Sequence, residues 1–211
     1  MRKTFAAAIL AVVVLHAAPA VASAQTIFGL LLGVDIGKVS GMEAVAGNIR
    51  PGLLGGAYLN FALSKVFSLE PELYFAQKGA QDHQDFQEGV MTTTIALSYI
   101  ELPLLFKVTI PLGEDYISRP HFFAGPYVGY NIRRVFKLAY EDPTGNDDSI
   151  IPITDVKKFE TGLVVGGGME WDVKAGLFTI DARYSWSLES ISTSSTSRNH
   201  VLAIVLGYSF R

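Results

Sequence analysis

Nine ionisable side chains occupy alternate positions in short apolar segments, and this spacing is the feature of the sequence that bears most on chemistry. In residues 178–188, Asp181 and Arg183 stand two positions apart, with Ala182 and Tyr184 as their apolar neighbours. Because successive side chains of a β-strand point to opposite faces, the two charges share one face of a strand. The residues that follow this rule are Asp35, Glu70, Glu72, Lys78, Glu101, Lys107, Glu170, Asp181 and Arg183.

Charges gathered on one side of strands that also carry bulky apolar side chains must meet in an enclosed space or in water. An unpaired charge in a confined interior is costly, so we expect these nine residues to form a hydrogen-bonded network of ion pairs. The network would fill the interior and help to hold the strand register. A path for protons or ions along the same residues is the alternative.

Catalytic and metal chemistry have weaker support. No Gly-x-Ser-x-Gly elbow occurs, and no serine can be assigned to any of the four histidines. The acidic stretches 82–85 and 146–148 lack the spacing of a zinc site or a calcium loop, and we interpret them as solvated loop charges. We therefore expect no catalytic residue, no metal and no cofactor. The four histidines are His16, His83, His121 and His200.

Eight segments of the chain alternate apolar with small or polar residues. Their length suits tilted strands that cross a bilayer, which need about 9–11 residues. Prolines at positions 71, 103 and 126 weaken three of these strands, because each proline lacks a donor for the ladder. The predicted strands are residues 27–37, 53–63, 67–78, 96–108, 120–132, 159–171, 178–188 and 200–210.

The connections between these segments alternate in length. Long polar links at 38–52, 79–94, 133–158 and 189–199 alternate with short ones at 64–65 and 172–175 and with an intermediate one at 109–119. Outer-membrane barrels show this asymmetry, with short periplasmic turns and longer external loops. The pattern predicts an all-β, eight-stranded antiparallel up-and-down transmembrane β-barrel with both termini periplasmic. A secreted soluble barrel, with the apolar face inside, is the alternative.

The first 24 residues have the form of a cleaved signal peptide. Arg2 and Lys3 precede an apolar stretch, and a small-residue cleavage site, Ala22-Ser23-Ala24, lies before Gln25. Residues 25–211 would then be one barrel domain. Without Arg2 and Lys3 the chain has 15 basic residues against 20 acidic ones, so it has no basic patch for nucleic acid. It has no cysteine, and closed backbone pairing is expected to provide stability instead.

The last strand ends in aromatic residues. Tyr208 and Phe210 lie on its apolar face, one residue before the C-terminal Arg211. Terminal strands of this form commonly direct barrels to the barrel-assembly machinery. We therefore interpret Tyr208 and Phe210 as an assembly signal.

Several motifs resemble one known family. The segments 67–79, 99–107, 124–130, 162–168 and 181–184 are similar to the eight-stranded outer-membrane β-barrel domain often labelled porin family. The resemblance covers the chain beyond the signal peptide and implies the bacterial cell outer membrane as its location. Members of this family mostly lack an assigned activity, and the porin label does not indicate a pore.

The predicted function is therefore a structural or surface-interaction role, without enzymatic activity and with a lumen filled by side chains. Eight strands leave room for side chains and not for an open aqueous channel. A narrow porin or transporter for ions or small solutes is the alternative, and a lipid-modifying enzyme is third. We expect a monomer in contact with outer-membrane lipid and lipopolysaccharide. A surface ligand would bind at the long loops, above all at residues 133–158 with their acidic stretch 140–148.

Overall fold

The computed structural model describes residues 25–40, 50–86, 89–112, 117–142, 145–152, 156–190 and 198–210. The predicted signal peptide, residues 1–24, lies outside these ranges. Among the residues that the structure describes, no helix is long and apolar enough to cross a membrane. The strands are β1 Gln25–Ser40, β2 Arg50–Ala62, β3 Phe67–Phe86, β4 Gly89–Thr109, β5 Ser118–Asp142, β6 Gly145–Pro152, β7 Phe159–Val173, β8 Gly176–Ser187 and β9 Arg198–Phe210.

Eight of these strands form a closed antiparallel ring. Its order is β1, β2, β3, β4, β5, β7, β8 and β9, and β9 pairs again with β1. The seam between the first and last strands runs from Phe28 opposite Phe210 to Ser40 opposite Arg198. Closure leaves no free edge in the ring. The predicted eight-stranded antiparallel barrel is confirmed.

Two of the predicted loops are strands in the structure, and one of them contains β6, which lies outside the ring. Residues 79–94 were expected to form a loop, but β3 and β4 stay paired as far as Phe86 opposite Gly89. Residues 133–158 contain the second half of β5 and the whole of β6, which pair from Val135 to Asp142. The β-branched residues of segment 90–95 favour strand over loop. These two hairpins mark what we call the hairpin end of the barrel, and the opposite end, near Gln25 and Phe210, is the terminal end.

The outer and inner surfaces of the ring differ as the alternation predicts. Apolar side chains cover the outside, where for example Leu32 is 63% and Phe122 60% exposed. The inner face carries glycines, aromatic rings and charges. An apolar exterior around a charged interior is the arrangement of a membrane barrel. It is the reverse of the soluble alternative, which is therefore wrong.

Large rings pack inside the barrel because glycines stand on the neighbouring strands. A Cβ atom at Gly29 would overlap the Tyr58 ring, and one at Gly162 would overlap the Tyr127 ring. Tyr58 also shares a 2.7 Å hydrogen bond with Ser209 across the seam region. A ring that covers a glycine fills space that would otherwise be empty and supports strand pairing.

Candidate functional site: the barrel interior

The alternation places all nine predicted charged residues in the interior, where each is between 2% and 7% exposed. The charged residues lie at different heights along the barrel axis. On β3, Glu70, Glu72 and Lys78 follow one another from the terminal end toward the hairpin end. Eight of the nine belong to three ion-pair clusters. The ninth, Asp35, has no ion pair among the described residues.

The cluster nearest the hairpin end is centred on Lys78. Its ammonium lies 2.5 Å from Glu101 and 3.2 Å from Glu160. The Tyr127 hydroxyl donates a 2.5 Å hydrogen bond to Glu160, and the Asn199 amide donates one of 2.6 Å to the other oxygen of the same carboxylate. Our sequence reasoning missed Glu160, Tyr127 and Asn199 as members. The inward positions of Glu160 and Tyr127 follow from the same alternation, whereas Asn199 was assigned to the loop 189–199 but lies on β9.

The central cluster is centred on Arg183. Its guanidinium donates hydrogen bonds of 2.6 Å to Glu72 and 2.9 Å to Asp181, and it lies 5.1 Å from the Phe123 ring centroid. His121 Nε2 lies 2.7 Å from the other oxygen of Asp181. Bonds from one guanidinium to two carboxylates are strong and directional. The sequence could have indicated His121 as a member, because the alternation of β5 places it on the inward face.

The cluster nearest the terminal end is looser. Lys107 lies 3.7 Å from Glu70 and 3.5 Å from Glu170, longer than the roughly 2.7–2.9 Å of a charge-assisted hydrogen bond. Arg119 reaches Glu170 at 2.9 Å, and Asn60 donates a 2.7 Å bond to Glu70. All five residues line a cavity of about 130 Å³. Such a cavity is large enough to hold more than one water molecule.

Asp35 lies between the first two clusters. Its Oδ2 has no hydrogen-bond partner among the described residues. With Lys78, Glu101 and Arg183 it lines a cavity of about 10 Å³. A polar cavity needs about 10–15 Å³ to hold one water molecule. The middle of the barrel is therefore nearly filled by its own side chains.

An apolar cluster lies beyond Lys78 toward the hairpin end. Leu97, Tyr99 and Val156 are buried in it together with Ala80 and Ile95. Tyr99 also contacts the charged side, since its ring centroid lies 5.3 Å from Lys78 Nζ. Val156 comes from the segment between β6 and β7, and the Arg134 side chain donates a 2.6 Å bond to its carbonyl. The series of charged residues therefore ends at apolar side chains.

The histidines show no catalytic arrangement in the described part of the chain. His121 Nδ1 has no hydrogen-bond partner there, and no histidine is bonded to a serine. No group of three or more potential metal ligands occurs among the described residues. The stretch 82–85, expected in a loop, lies on β3, whereas His16 and the side chains of 146–148 lie outside what is described. The histidine contacts are His83 with Thr92, His121 with Asp181 and His200 with Tyr184.

A ring of eight antiparallel strands, apolar outside and charged inside, defines the class of eight-stranded outer-membrane β-barrels. Within that class, the chain belongs to the family described as "Outer membrane protein beta-barrel domain", whose model matches residues 23–193. The protein is therefore a transmembrane β-strand protein of the bacterial outer membrane. The predicted family and location are confirmed.

Several solved structures are similar to this chain. Neisserial surface protein A is 12% identical, with a TM-score of 0.46 over 86% of this chain and 96% of its own. OprG from Pseudomonas aeruginosa is 12% identical, with a TM-score of 0.49 over 89% of this chain and 97% of its own. Ail of Yersinia pestis, in complex with the heparin analogue sucrose octasulfate, is 12% identical, with a TM-score of 0.41 over 88% of this chain and 99% of its own. No protein with a curated description matches the sequence significantly. At these values the similarities carry no argument about activity.

Proposed function

We propose that this protein is a closed outer-membrane barrel with a structural or surface-interaction role. The observation that carries the proposal is the filled lumen: ion-pair clusters occupy it, the central cavity measures about 10 Å³, and an apolar cluster lies at the hairpin end. An ion that entered from the terminal end would have to break paired charges and then pass apolar side chains. Both steps are unfavourable.

Conductance tests this proposal. The mature protein, reconstituted in planar bilayers with insertion verified by protease protection, is expected to give no single-channel steps. The Leu97→Ala variant, which removes a buried apolar side chain beyond Lys78, serves as a comparison for partial opening. Steady single-channel steps from the unmodified protein would contradict a closed lumen.

One observation favours the narrow pore as second candidate. Among the described residues, seven buried carboxylates accompany three buried lysine and arginine side chains. A leak through such an interior would prefer cations, because the excess charge is negative. Weak, cation-selective steps would therefore favour the narrow pore over the closed barrel.

We assign no catalytic residue. A lipid-modifying enzyme needs a nucleophile and a base within hydrogen-bond reach, and His121 is bonded to Asp181 without a described hydroxyl on its other nitrogen. The protein, incubated with phospholipid or lipopolysaccharide, is expected to yield no hydrolysed or acyl-transferred product.

The surface role that we propose belongs to the hairpin end. Beyond the ring, β3, β4, β5 and β6 continue as a four-stranded sheet held by cross-strand pairs. β6 exposes Ile150 at 58%, and Lys137 lies opposite it on β5. A rigid sheet that mixes apolar and charged side chains suits a surface ligand better than a mobile loop does, because less entropy is lost on binding.

We further propose how the protein reaches and occupies the membrane. The leader, residues 1–24, would be cleaved, and the terminal strand would bind the barrel-assembly machinery through Tyr208 and Phe210. Their rings contact edge to face at 5.0 Å, and Phe210 stacks with Phe28 at 6.1 Å on the outer wall. Both termini would be periplasmic, and a monomer would contact lipid and lipopolysaccharide with its apolar belt.

A further inference from the structure

The cavity at the terminal end is far larger than a closed lumen requires. Its volume is about 130 Å³, and Ser64, Lys65 and Val66, in the turn between β2 and β3, form part of its wall. The cavity beside Asp35, in the middle of the barrel, measures only about 10 Å³. The terminal-end cavity is therefore a pocket at the mouth of the barrel, and the filled middle of the lumen closes its inner end.

Two cations in this pocket have donors that its carboxylates leave unused. Lys107 Nζ has three donors, yet it lies 3.5 Å from Glu170 and 3.7 Å from Glu70, beyond the roughly 2.7–2.9 Å of a charge-assisted hydrogen bond. Arg119 binds the other oxygen of Glu170, and its buried Nε has no hydrogen-bond partner among the described residues. An acceptor placed between these two cations would satisfy both.

The charges of the pocket favour an uncharged ligand. Glu70 and Glu170 balance Lys107 and Arg119, and Lys65 lies on the exposed turn, where water and salt screen its charge. A ligand with a net charge would remain uncompensated in a site that is already neutral, which is costly. A hydroxyl group avoids this cost, because it accepts a hydrogen bond from an ammonium and donates one to a carboxylate at the same time.

The pocket also has an apolar wall, which favours an organic solute over water alone. Ile27, Val66 and Leu177 line it together with the charged residues. Hydroxyl groups of Ser68 and Thr179 add further polar partners. A compact molecule with hydroxyls on one edge and C–H groups on the other matches both kinds of wall.

We propose that this pocket binds an uncharged, polyhydroxylated solute of about six non-hydrogen atoms, a size suggested by the roughly 150 Å³ cavity that accommodates benzene. One hydroxyl would accept from Lys107 and donate to Glu70 or Glu170, and a second would accept from Arg119. The carbon skeleton would pack on Ile27 and Leu177. The inference does not depend on the surface role proposed above, because the pocket lies at the opposite end of the barrel.

The experiment is a titration of the isotope-labelled mature protein in detergent micelles with glycerol, followed by amide chemical shifts. Ser68, Thr179 and Ser209, which line the pocket, should shift and saturate. The midpoint should lie in the millimolar range, because a ligand of so few atoms gains little on binding. Thr93 and Ile150, at the hairpin end, should not respond. Propan-1-ol, with the same carbon skeleton and one hydroxyl, and glycine, a zwitterion of similar size, are the comparison solutes.

Variants locate the site. Ala62→Leu places a larger side chain in the wall without removing a polar group, so it should weaken glycerol binding at least tenfold. Ala57→Leu, on the outer face of the same strand, is its matched control and should have no effect. Arg119→Met should weaken binding about tenfold, the effect of losing a hydrogen bond from a charged donor. Arg133→Met, at an exposed arginine of the hairpin end, is the control for that change.

Four results would overturn the inference. Absence of saturable shifts with glycerol would mean that the pocket holds only water, and an equal response to propan-1-ol would mean that the hydroxyls are not recognised. A stronger response to glycine would indicate a site for charged solutes. Undiminished binding by both Ala62→Leu and Arg119→Met would place glycerol elsewhere. None of these results depends on conductance or on surface attachment, so failure here and failure of the closed-barrel proposal are distinguishable.

Discussion

At the scale of single residues, the interior is held by a few cations that each serve more than one carboxylate. Arg183 binds Glu72 and Asp181, and Lys78 binds Glu101 and Glu160. A buried pair of this kind contributes little net stability compared with apolar side chains of similar shape, but loss of one partner leaves an uncompensated charge. The cations should therefore be sensitive positions.

The Arg183→Met variant tests this sensitivity. It leaves the carboxylates of Glu72 and Asp181 buried without a cation, so we expect the free energy of unfolding to fall by about 3–5 kcal/mol. The measurement is urea unfolding from lipid vesicles, followed by tryptophan fluorescence. Lys65→Met, at an exposed lysine, is the control and should change stability by no more than about 0.5 kcal/mol. Equal free energies of unfolding for the two variants would show that the Arg183 cluster does not stabilise the barrel.

Glycines opposite interior rings are a second sensitive class. In Gly162→Ala the new methyl would overlap both the Tyr127 ring and the Trp186 carbonyl oxygen, so we expect a loss of about 1–3 kcal/mol in the same unfolding assay. Gly55→Ala is the matched control, because its methyl would make only an ordinary 3.5 Å contact with Leu32. An unchanged free energy of unfolding in Gly162→Ala would mean that the Tyr127 ring can move aside without loss of packing.

At the scale of elements, the long hairpins are built on the ring but do not contribute to its closure. β5 pairs with β7 only from Ser118 to Tyr130, and its continuation pairs with β4 and β6. The register shift at Ser98 and Tyr99 leaves Ile132 without a partner on β4 and marks the boundary between the two parts. Such a bulge bends a strand and re-aims its side chains. The hairpin tip should therefore be separable from the barrel.

Replacement of residues 139–148 by Asn-Gly tests that separation. Leu138 and Ser149 are paired, so a two-residue turn between them is geometrically suitable. We expect unchanged insertion and an unfolding midpoint close to that of the unmodified protein, together with loss of attachment to a cell or ligand-coated surface. A similar shortening of the β3–β4 tip is the comparison variant. Failure of the shortened protein to fold would contradict the independence of barrel and hairpin.

At the scale of the whole molecule, the belt of exposed apolar side chains determines where the protein resides. Ile204 and Leu206 are 46% and 44% exposed in the middle of β9, far more than a soluble core residue would be. In lipid these side chains lose nothing by exposure, and the closed ring satisfies the backbone. The belt and the ring are thus two parts of one adaptation to the bilayer.

The depth of the belt is testable with one substitution at two heights. Ile204→Arg, near mid-membrane, should lower the free energy of unfolding from vesicles by about 2–4 kcal/mol, whereas Leu188→Arg, beyond the end of β8, should lower it by about 0–1 kcal/mol. Urea titration of both variants provides the comparison. Equal losses in the two variants would contradict the position of Ile204 near the middle of the membrane and of Leu188 near its edge.

The sequence alone was sufficient to predict whether each strand side chain faces the inside or the outside of the barrel. Alternation has a period of two, so Asp181 and Tyr184 are assigned to opposite sides without knowledge of which strand lies next to which. The same local signal located the eight ring strands. It was insufficient where segment 79–94 and segment 133–158 were interpreted as loops, because polar strands outside a membrane lack the apolar face on which the prediction relied.

Only the tertiary structure decided which charges meet. Arg183 and Glu72 are 111 residues apart, and Lys78 and Glu160 are 82 apart. Their contacts depend on the stagger between strands around the closed ring, which no local pattern encodes. The same stagger brought Glu160 and His121 into the clusters and left Asp35 without an ion pair in the part of the chain that the structure describes. The face on which a side chain lies follows from local stereochemistry. Its ion-pair partner follows from the closure of the ring, since the height of each strand depends on all the others.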